Sequence, residues 1–296
     1  MFSSASLVEL PWRAVIEVTG RDRVRFLHGM CTQEIKKLAP GRGAPAAVVN
    51  RQGKMVAEIL VHAAPASLLV QVDRANAQAT IDALAKFVVA DDVVFKISER
   101  AVFGLHGPAA RGAVGIAAPA DFAGEERDGV WIARNRTIAD DGYDLLVPPD
   151  RVAWVRGLAP AATEADYEAS RIESGFPRWG VDMGPDLLPM EAGLEPVAIR
   201  YDKGCYIGQE VIQRVKTYSE PPRMLVRLAF DGDAPLPGSA VTAAGEEVGK
   251  VTSAHGRFAL ALVRKEHKAP GSKVEVGGRP AVVGALPWQE RLARPA

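Results

Sequence analysis

Through the first two thirds of the chain, apolar runs with strand-like spacing alternate with segments of helical spacing. "WRAVIEVTG" (12–20) reads as a strand closed by a turn at Gly20. "RDRVRFLHGM" (21–30) reads as a helix with Val24, Phe26 and Leu27 on its apolar side. "AAVVN" and "MVAEILVHA" flank "RQGK", which predicts a hairpin turned at Gly53, and "SLLVQV" is a further strand. A helix is predicted from an N-cap at Asp73, with Ile81, Leu84, Ala85 and Val88 at i, i+3, i+4 and i+7. "DVVFKI" and "AVFGLHG" read as strands, and a short helix is expected after Pro108. Residues 117–128 read as a Gly/Ala/acid-rich loop. "VWIAR" and "YDLLVP" are strands, and "DRVAWVRGL" and "EADYEASRIES" are helices. Residues 175–196 are rich in Gly and Pro and too long for an idle connection, so a functional or core-lining role is expected there.

The pattern changes after Arg223. "MLVRLAF", "EEVGKVTSA", "FALALV" and "KVEVGG" are short strands between Gly/Pro turns, which predicts a small β-barrel or sandwich. The expected division is therefore an α+β region over 1–222 and a β-rich unit over 223–296, without a regular βαβ rhythm. No Gly-x-Gly-x-x-Gly and no P-loop opens a helix after a strand, so dinucleotide and nucleotide-triphosphate sites have no support.

Composition narrows the function classes. The 296 residues suffice for two or three domains, and 48% apolar with 24% charged residues is an ordinary globular profile. Basic and acidic residues number 36 each, so no overall field draws the chain to nucleic acid or to an anionic membrane. Two cysteines do not make a secreted disulfide scaffold. The N-terminal residues lack the basic and apolar regions of a signal peptide, and no apolar run is long enough to span a bilayer. The expected location is a reducing cytoplasm.

The densest chemistry lies in "KGCYIGQE", 203–210. Gly204 and Gly208 bracket Cys205, and "GQEVIQRV" reads as a helix start. Glycines at both ends permit positive φ and close backbone approach. A helix N-terminus and the neighbouring Lys203 would both favour a thiolate. On spacing alone, a reactive thiol stands beside the commoner alternative of a buried cysteine acting as a small apolar residue.

K-G-C-Y-x-G-Q-E resembles the signature of the YgfZ-type folate-binding proteins, relatives of the aminomethyltransferase (T-protein) of the glycine cleavage system. The similarity extends along nearly the whole chain. It takes in "VTGRDRVRFLHGMCTQEIKKLAPG", "VVNRQGKMVAEILV", "LHGPAA" (like the "QGP" turn of the aminomethyltransferases) and "SRIESGFPRWGVDM…LPMEAGLE". The resemblance implies two interleaved α+β units and a C-terminal barrel around a central folate channel. It implies tetrahydrofolate or a one-carbon derivative as cofactor, and a role in assembly or repair of iron–sulfur proteins with Cys205 as the reactive thiol. Client or assembly proteins would be transient partners. The alternative is a tetrahydrofolate-dependent aminomethyl or methyl transferase, whose members usually lack a cysteine in that loop.

The same resemblance implies site residues. Glu173 in "RIESG" is the candidate for accepting the paired N–H and amino group of a pterin. Asp92, with Asp91 beside it, falls in a segment where the aminomethyltransferases carry a functional aspartate. Arg214 and Arg223 flank the signature as candidate partners for the folate carboxylates, and Tyr206 lies inside it as a further contact. "VKTYSEPPRM" departs from the family by placing two prolines ahead of Arg223, so the loop there takes another path. His28 and Cys31 in "HGMC" do not make a closed metal site, and Cys31 is expected to be structural.

Overall fold

The computed structural model describes residues 2, 4–116 and 120–294. In chain order its elements begin with β1 (Ser6–Glu9), β2 (Arg13–Thr19), α1 (Arg23–Met30), β3 (Gly43–Val49), β4 (Met55–Ala63), β5 (Leu68–Asp73) and α2 (Ala77–Ala85). There follow β6 (Val94–Ile97), β7 (Ala101–His106), α3 (Ala110–Val114), β8 (Gly124–Arg127), β9 (Val130–Arg134), β10 (Gly142–Val147), α4 (Val152–Arg156), α5 (Glu164–Ser174), α6 (Glu195–Ala198) and α7 (Gln209–Tyr218). The tail is β11 (Arg223–Phe230), β12 (Ala240–Ala243), β13 (Glu246–His255), β14 (Phe258–Arg264), β15 (Lys273–Val276), β16 (Arg279–Gly284) and α8 (Pro287–Ala293).

The strands form three antiparallel sheets. One has the order β3-β4-β5-β2-β6, a second β1-β7-β10-β9-β8, and the third closes as a barrel, β11-β14-β13-β12-β15-β16. The chain enters through the second sheet, builds the whole first sheet and then returns, so the two α+β units are interleaved as expected. Helices α1 and α2 cover one face of the first sheet in a cluster with Ile16, Ile59 and Val72. Helices α3 and α4 cover one face of the second, against Phe103, Leu105 and Leu145. The other two faces meet across a third cluster containing Val15, Leu69, Val102, Trp131, Leu146 and Tyr167.

Period-two alternation explains what lies in that middle layer. On β4, Ala57, Ile59 and Val61 pack under the helices, which turns Glu58, Leu60 and His62 inward. On β5 the outward residues are Leu68, Val70 and Val72, which turns Gln71 inward. On β7 and β10 they are Phe103, Leu105, Tyr143, Leu145 and Val147, which turns His106 and Asp144 inward.

Helix α5 starts on a capping box between Thr163 and Asp166 and ends at Gly175 in the left-handed region. The predicted Asp73 cap exists, but it opens a 3-10 turn ahead of α2 by accepting from the Ala75 amide. Of the expected loop 117–128, residues 117–119 lie outside the described residues. The remainder is not all loop, because Gly124–Arg127 pairs with β9. The barrel reading also missed β12, β16 and α8. Trp288 of α8 is fully buried against Phe176 and the segment after α5.

A buried ionic network ties the barrel to the rest. Arg171 of α5 donates to Asp182 (2.7 Å), to Glu168 and to the Ser253 hydroxyl of β13 (2.9 Å). Asp182 Oδ1 accepts from Thr252 and Ser253. Arg171 and Asp182 are each 1% exposed, so the pair is desolvated and every lone pair it uses is matched. The Gly/Pro-rich segment 175–196 is therefore a core-lining element.

Candidate functional site

The inward residues of both sheets, the inner face of α5 and the segment after it enclose a central cavity. Its aromatic and apolar walls include Trp12, Tyr167, Phe176, Trp179, Met183 and Trp288. Its polar groups include Arg13, Glu58, Gln71, Asp73, His106, Asn135 and Asp144. Asp144 Oδ2 accepts from Gln71 Nε2 (3.0 Å) and Asn135 Nδ2 (2.8 Å). Gln71 Nε2 also lies 3.0 Å from His62 Nε2, so the imidazole is the acceptor there and carries its proton on Nδ1. Burial drives the His62 pKa down to about 3, which keeps it neutral. Burial also raises the Asp144 pKa, against the opposing pull of its two amide donors. Arg13 Nη1 is bound by Glu58 at 2.8 Å. The cavity thus offers a carboxylate at its wall, while the guanidinium groups beside it already have anionic partners.

A second chemical feature sits on the far side of one cavity wall. Leu194, Ala198 and Trp288 line the cavity and belong to the same apolar cluster as Tyr206. Tyr206 is buried, with its hydroxyl unpartnered, and burial pushes its pKa up to about 12. The next residue back, Cys205, is exposed. Gly208 has φ +80° and caps α7; a Cβ there would stand 2.4 Å from the Asn50 carbonyl oxygen, so the loop needs glycine at this point. Gly204 is not among the residues with positive φ. The Gly53 turn lies directly beneath, with Val211 of α7 against it.

Lys203 faces inward. Its ammonium donates to the carbonyls of His28, Cys31 (2.6 Å) and Gln33 (3.0 Å), and it stands 4.8 Å from the Tyr206 ring. Burial lowers its pKa. The lysine expected to favour the thiolate therefore clamps the C-terminal end of α1, where carbonyls past the last helical turn accept from its ammonium.

The comparisons with known proteins bear on both features. Residues 2–203 match the GCVT N-terminal domain and residues 223–291 match the CAF17 C-terminal β-barrel domain. The chain belongs to the GCVT N-terminal domain family. It is 29% identical to an aminomethyltransferase of Streptomyces coelicolor, covering 97% of this chain and 87% of that protein. It is 30% identical to an aminomethyltransferase of Geobacillus kaustophilus, covering 92% of this chain and 82% of that one. The crystal structure of glycine cleavage system aminomethyltransferase T from Bartonella henselae superposes with a TM-score of 0.86 at 21% identity, covering 97% of this chain and 86% of that one. The GCVT-like fold with its closed barrel is thereby established.

The remaining predicted residues are scattered about this family's fold. Glu173 does not line the cavity. Tyr167 and Arg171 do, four residues apart on α5, and Glu173 is about 200° round the helix from Arg171. Its backbone carbonyl accepts from Arg227 of the barrel instead. Asp92 is exposed and clasps the turn before α1, through the Arg21 and Asp22 amides and the Asp22 carboxylate. Asp91 pairs with Arg25. Arg214 is exposed on α7. Arg223 is paired with Asp186 (2.7 Å) and Glu191 (3.2 Å). Cys31 is fully buried in the first sheet's core, its thiol directed at the Gln33 carbonyl, and burial raises its pKa. Sequence reading missed Glu58, Gln71, His106, Asn135, Asp144 and Tyr167. For four of them a signal was present: a polar residue interrupting the apolar runs "MVAEILVHA", "SLLVQV", "AVFGLHG" and "YDLLVP".

Proposed function

We propose that this chain binds tetrahydrofolate, or a one-carbon derivative, in the central cavity and uses Cys205 in the assembly or repair of iron–sulfur proteins. The observation that carries the reading is the buried Asp144 carboxylate on the wall of an aromatic-lined cavity. Behind that wall a glycine-capped loop offers an exposed thiol.

The residues present fit the group. A reduced pterin presents an N–H and an amino group side by side, which one carboxylate accepts together. Asp144 takes the part that the sequence reading assigns to Glu173. Trp12, Tyr167 and Trp179 would flank the ring and exclude water from the carboxylate. Bound folate would supply one-carbon carriage at its ring nitrogens. Cys205 would supply one thiolate toward iron, and since clusters are usually held by four, the others belong to a client protein. The match of the tail to the CAF17 barrel and the cysteine in the loop favour this role.

A second reading, tetrahydrofolate-dependent aminomethyl transfer, is favoured by the names of the relatives, over most of whose length this chain extends. Calorimetric titration of tetrahydrofolate into the purified protein tests the shared part, with saturable one-site binding expected. Restoration of iron–sulfur enzyme activity in cells lacking the protein separates the two. Cys205→Ser is expected to fail there. Full restoration together with measurable aminomethyl transfer in vitro would move the assignment to the transferase.

A further inference from the structure

His106 lines the central cavity and is 1% exposed, yet neither Nδ1 nor Nε2 has a hydrogen-bond partner. A neutral imidazole carries one N–H and one acceptor nitrogen, and burying both unmatched is unfavourable. Burial holds the His106 pKa down to about 4, so the ring is neutral near pH 7.

The surroundings hold the imidazole in place. Gly104 lies two residues back on β7, and Gly142 is the cross-strand partner of His106 on β10. A Cβ at Gly104 would stand 2.5 Å from Nε2, and one at Gly142 would stand 3.0 Å from Nδ1. The ring therefore lies over two positions that admit only glycine. Phe2 stacks upon it at 5.4 Å and 18°, and the Tyr167 ring is 6.1 Å away. The residue paired with Gly104, over which Nε2 sits, is Asp144. His106 and Asp144 are thus diagonal neighbours on the inward face of one antiparallel pair, and no hydrogen bond joins them.

We propose that His106 is a second ligand contact of the cavity, its Nε2 donating to an acceptor atom on the same ring edge whose N–H and amino group Asp144 receives. The ligand class is a fused nitrogen heterocycle with donor, donor and acceptor in a row along one edge, a pattern that reduced pterins carry. This rests on the folate reading and deepens it.

The test is a titration of tetrahydrofolate into protein labelled with 15N-histidine, whose five imidazoles are followed individually. The His106 ring nitrogens are expected to shift on saturation. Calorimetry on His106→Phe, which keeps the stack on Phe2 and removes both nitrogens, is expected to show roughly tenfold weaker tetrahydrofolate binding. Para-aminobenzoylglutamate, which lacks the fused ring, should bind wild type and variant alike. If wild type binds tetrahydrofolate while the His106 signals stay still and His106→Phe binds equally well, this inference fails and the folate reading stands. If wild type does not bind tetrahydrofolate, both fail. The wild-type shift decides the matter even if the variant does not fold.

Discussion

The central cavity and the Cys205 loop lie on opposite sides of one apolar wall, and they are built in opposite ways. The cavity takes its polar groups from β2, β4, β5, β7, β10 and α5, and Arg13, Glu58, Gln71 and Asp144 are each held by a neighbour from another element. The loop takes its groups from eight consecutive residues, anchored from below by Lys203, Tyr206 and Gly208, with the Cys205 thiol on the exposed side. A buried polar group is stable only with matched partners, so the cavity's chemistry is tied to the whole fold. An exposed thiol needs only local backbone geometry. The cavity should therefore respond to substitution in stability and affinity together, and the exposed thiol in function alone.

The largest effect is expected at the network that holds the cavity floor. Asp182→Ala leaves Arg171 buried with only Glu168 as anionic partner and removes the carboxylate that accepts from the Thr252 and Ser253 hydroxyls. Chemical denaturation should show a loss of about 3 kcal/mol or more. A loss below about 1 kcal/mol would mean that the barrel does not depend on this pair.

Next comes Asp144→Asn, which keeps two acceptor bonds but cannot receive a paired donor edge as a carboxylate does. Tetrahydrofolate affinity should fall roughly tenfold to a hundredfold in calorimetry. The same variant carries a pH signature. Because burial raises the Asp144 pKa, the folded state takes up this proton more readily than the unfolded chain. Wild-type stability should therefore fall as pH rises from about 4, the ordinary carboxylate value, through the raised folded value. Asp144→Asn should lack that fall. Thermal melts across this window should show the gap between the two proteins moving in the variant's favour as pH rises.

Gly208→Ala forces a non-glycine residue to φ +80° and a Cβ against Asn50 O, so about 1–3 kcal/mol should be lost and the loop displaced. Gly204→Ala meets only His28 Nε2 at 3.7 Å and should be close to neutral. Equal effects at the two glycines would break the reading of Gly208 as the residue that sets the loop.

The smallest stability effect is expected at Cys205 itself. Cys205→Ser should change stability by no more than about 0.5 kcal/mol. Mass spectrometry after iodoacetamide treatment of the native protein should find Cys205 alkylated and Cys31 protected until denaturant is added. The reverse order would make Cys205 the structural cysteine.

The two regions were legible to different degrees for the same reason. "KGCYIGQE" is contiguous, so its residues are neighbours in space because they are neighbours in sequence. Even so, the direction of Lys203 was hidden, since it depends on where the end of α1 lies. Asp144, Gln71 and His106 are far apart in the chain and meet only when the register of β7 with β10 and the packing of two sheets bring them together. Their one trace in the sequence is a polar residue interrupting an apolar run. Glu173 shows the converse. Its motif lies on α5, which lines the cavity through Tyr167 and Arg171, while Glu173 itself lies round the helix with its carbonyl on Arg227.

The sequence by itself determined the α+β body, the β-rich tail after Arg223, the loop bearing Cys205 and the resemblance to folate-binding relatives. These follow from local periodicity, turn residues and contiguous motifs, which act over a few residues at a time. Tertiary structure alone decided that the whole first sheet is inserted between β1 and β7 of the second, and that the barrel is pinned to the body by Arg171 and Asp182. It also decided which carboxylate faces the cavity. Those outcomes depend on which faces are buried against each other, and burial, unlike periodicity, is a property of the assembled chain.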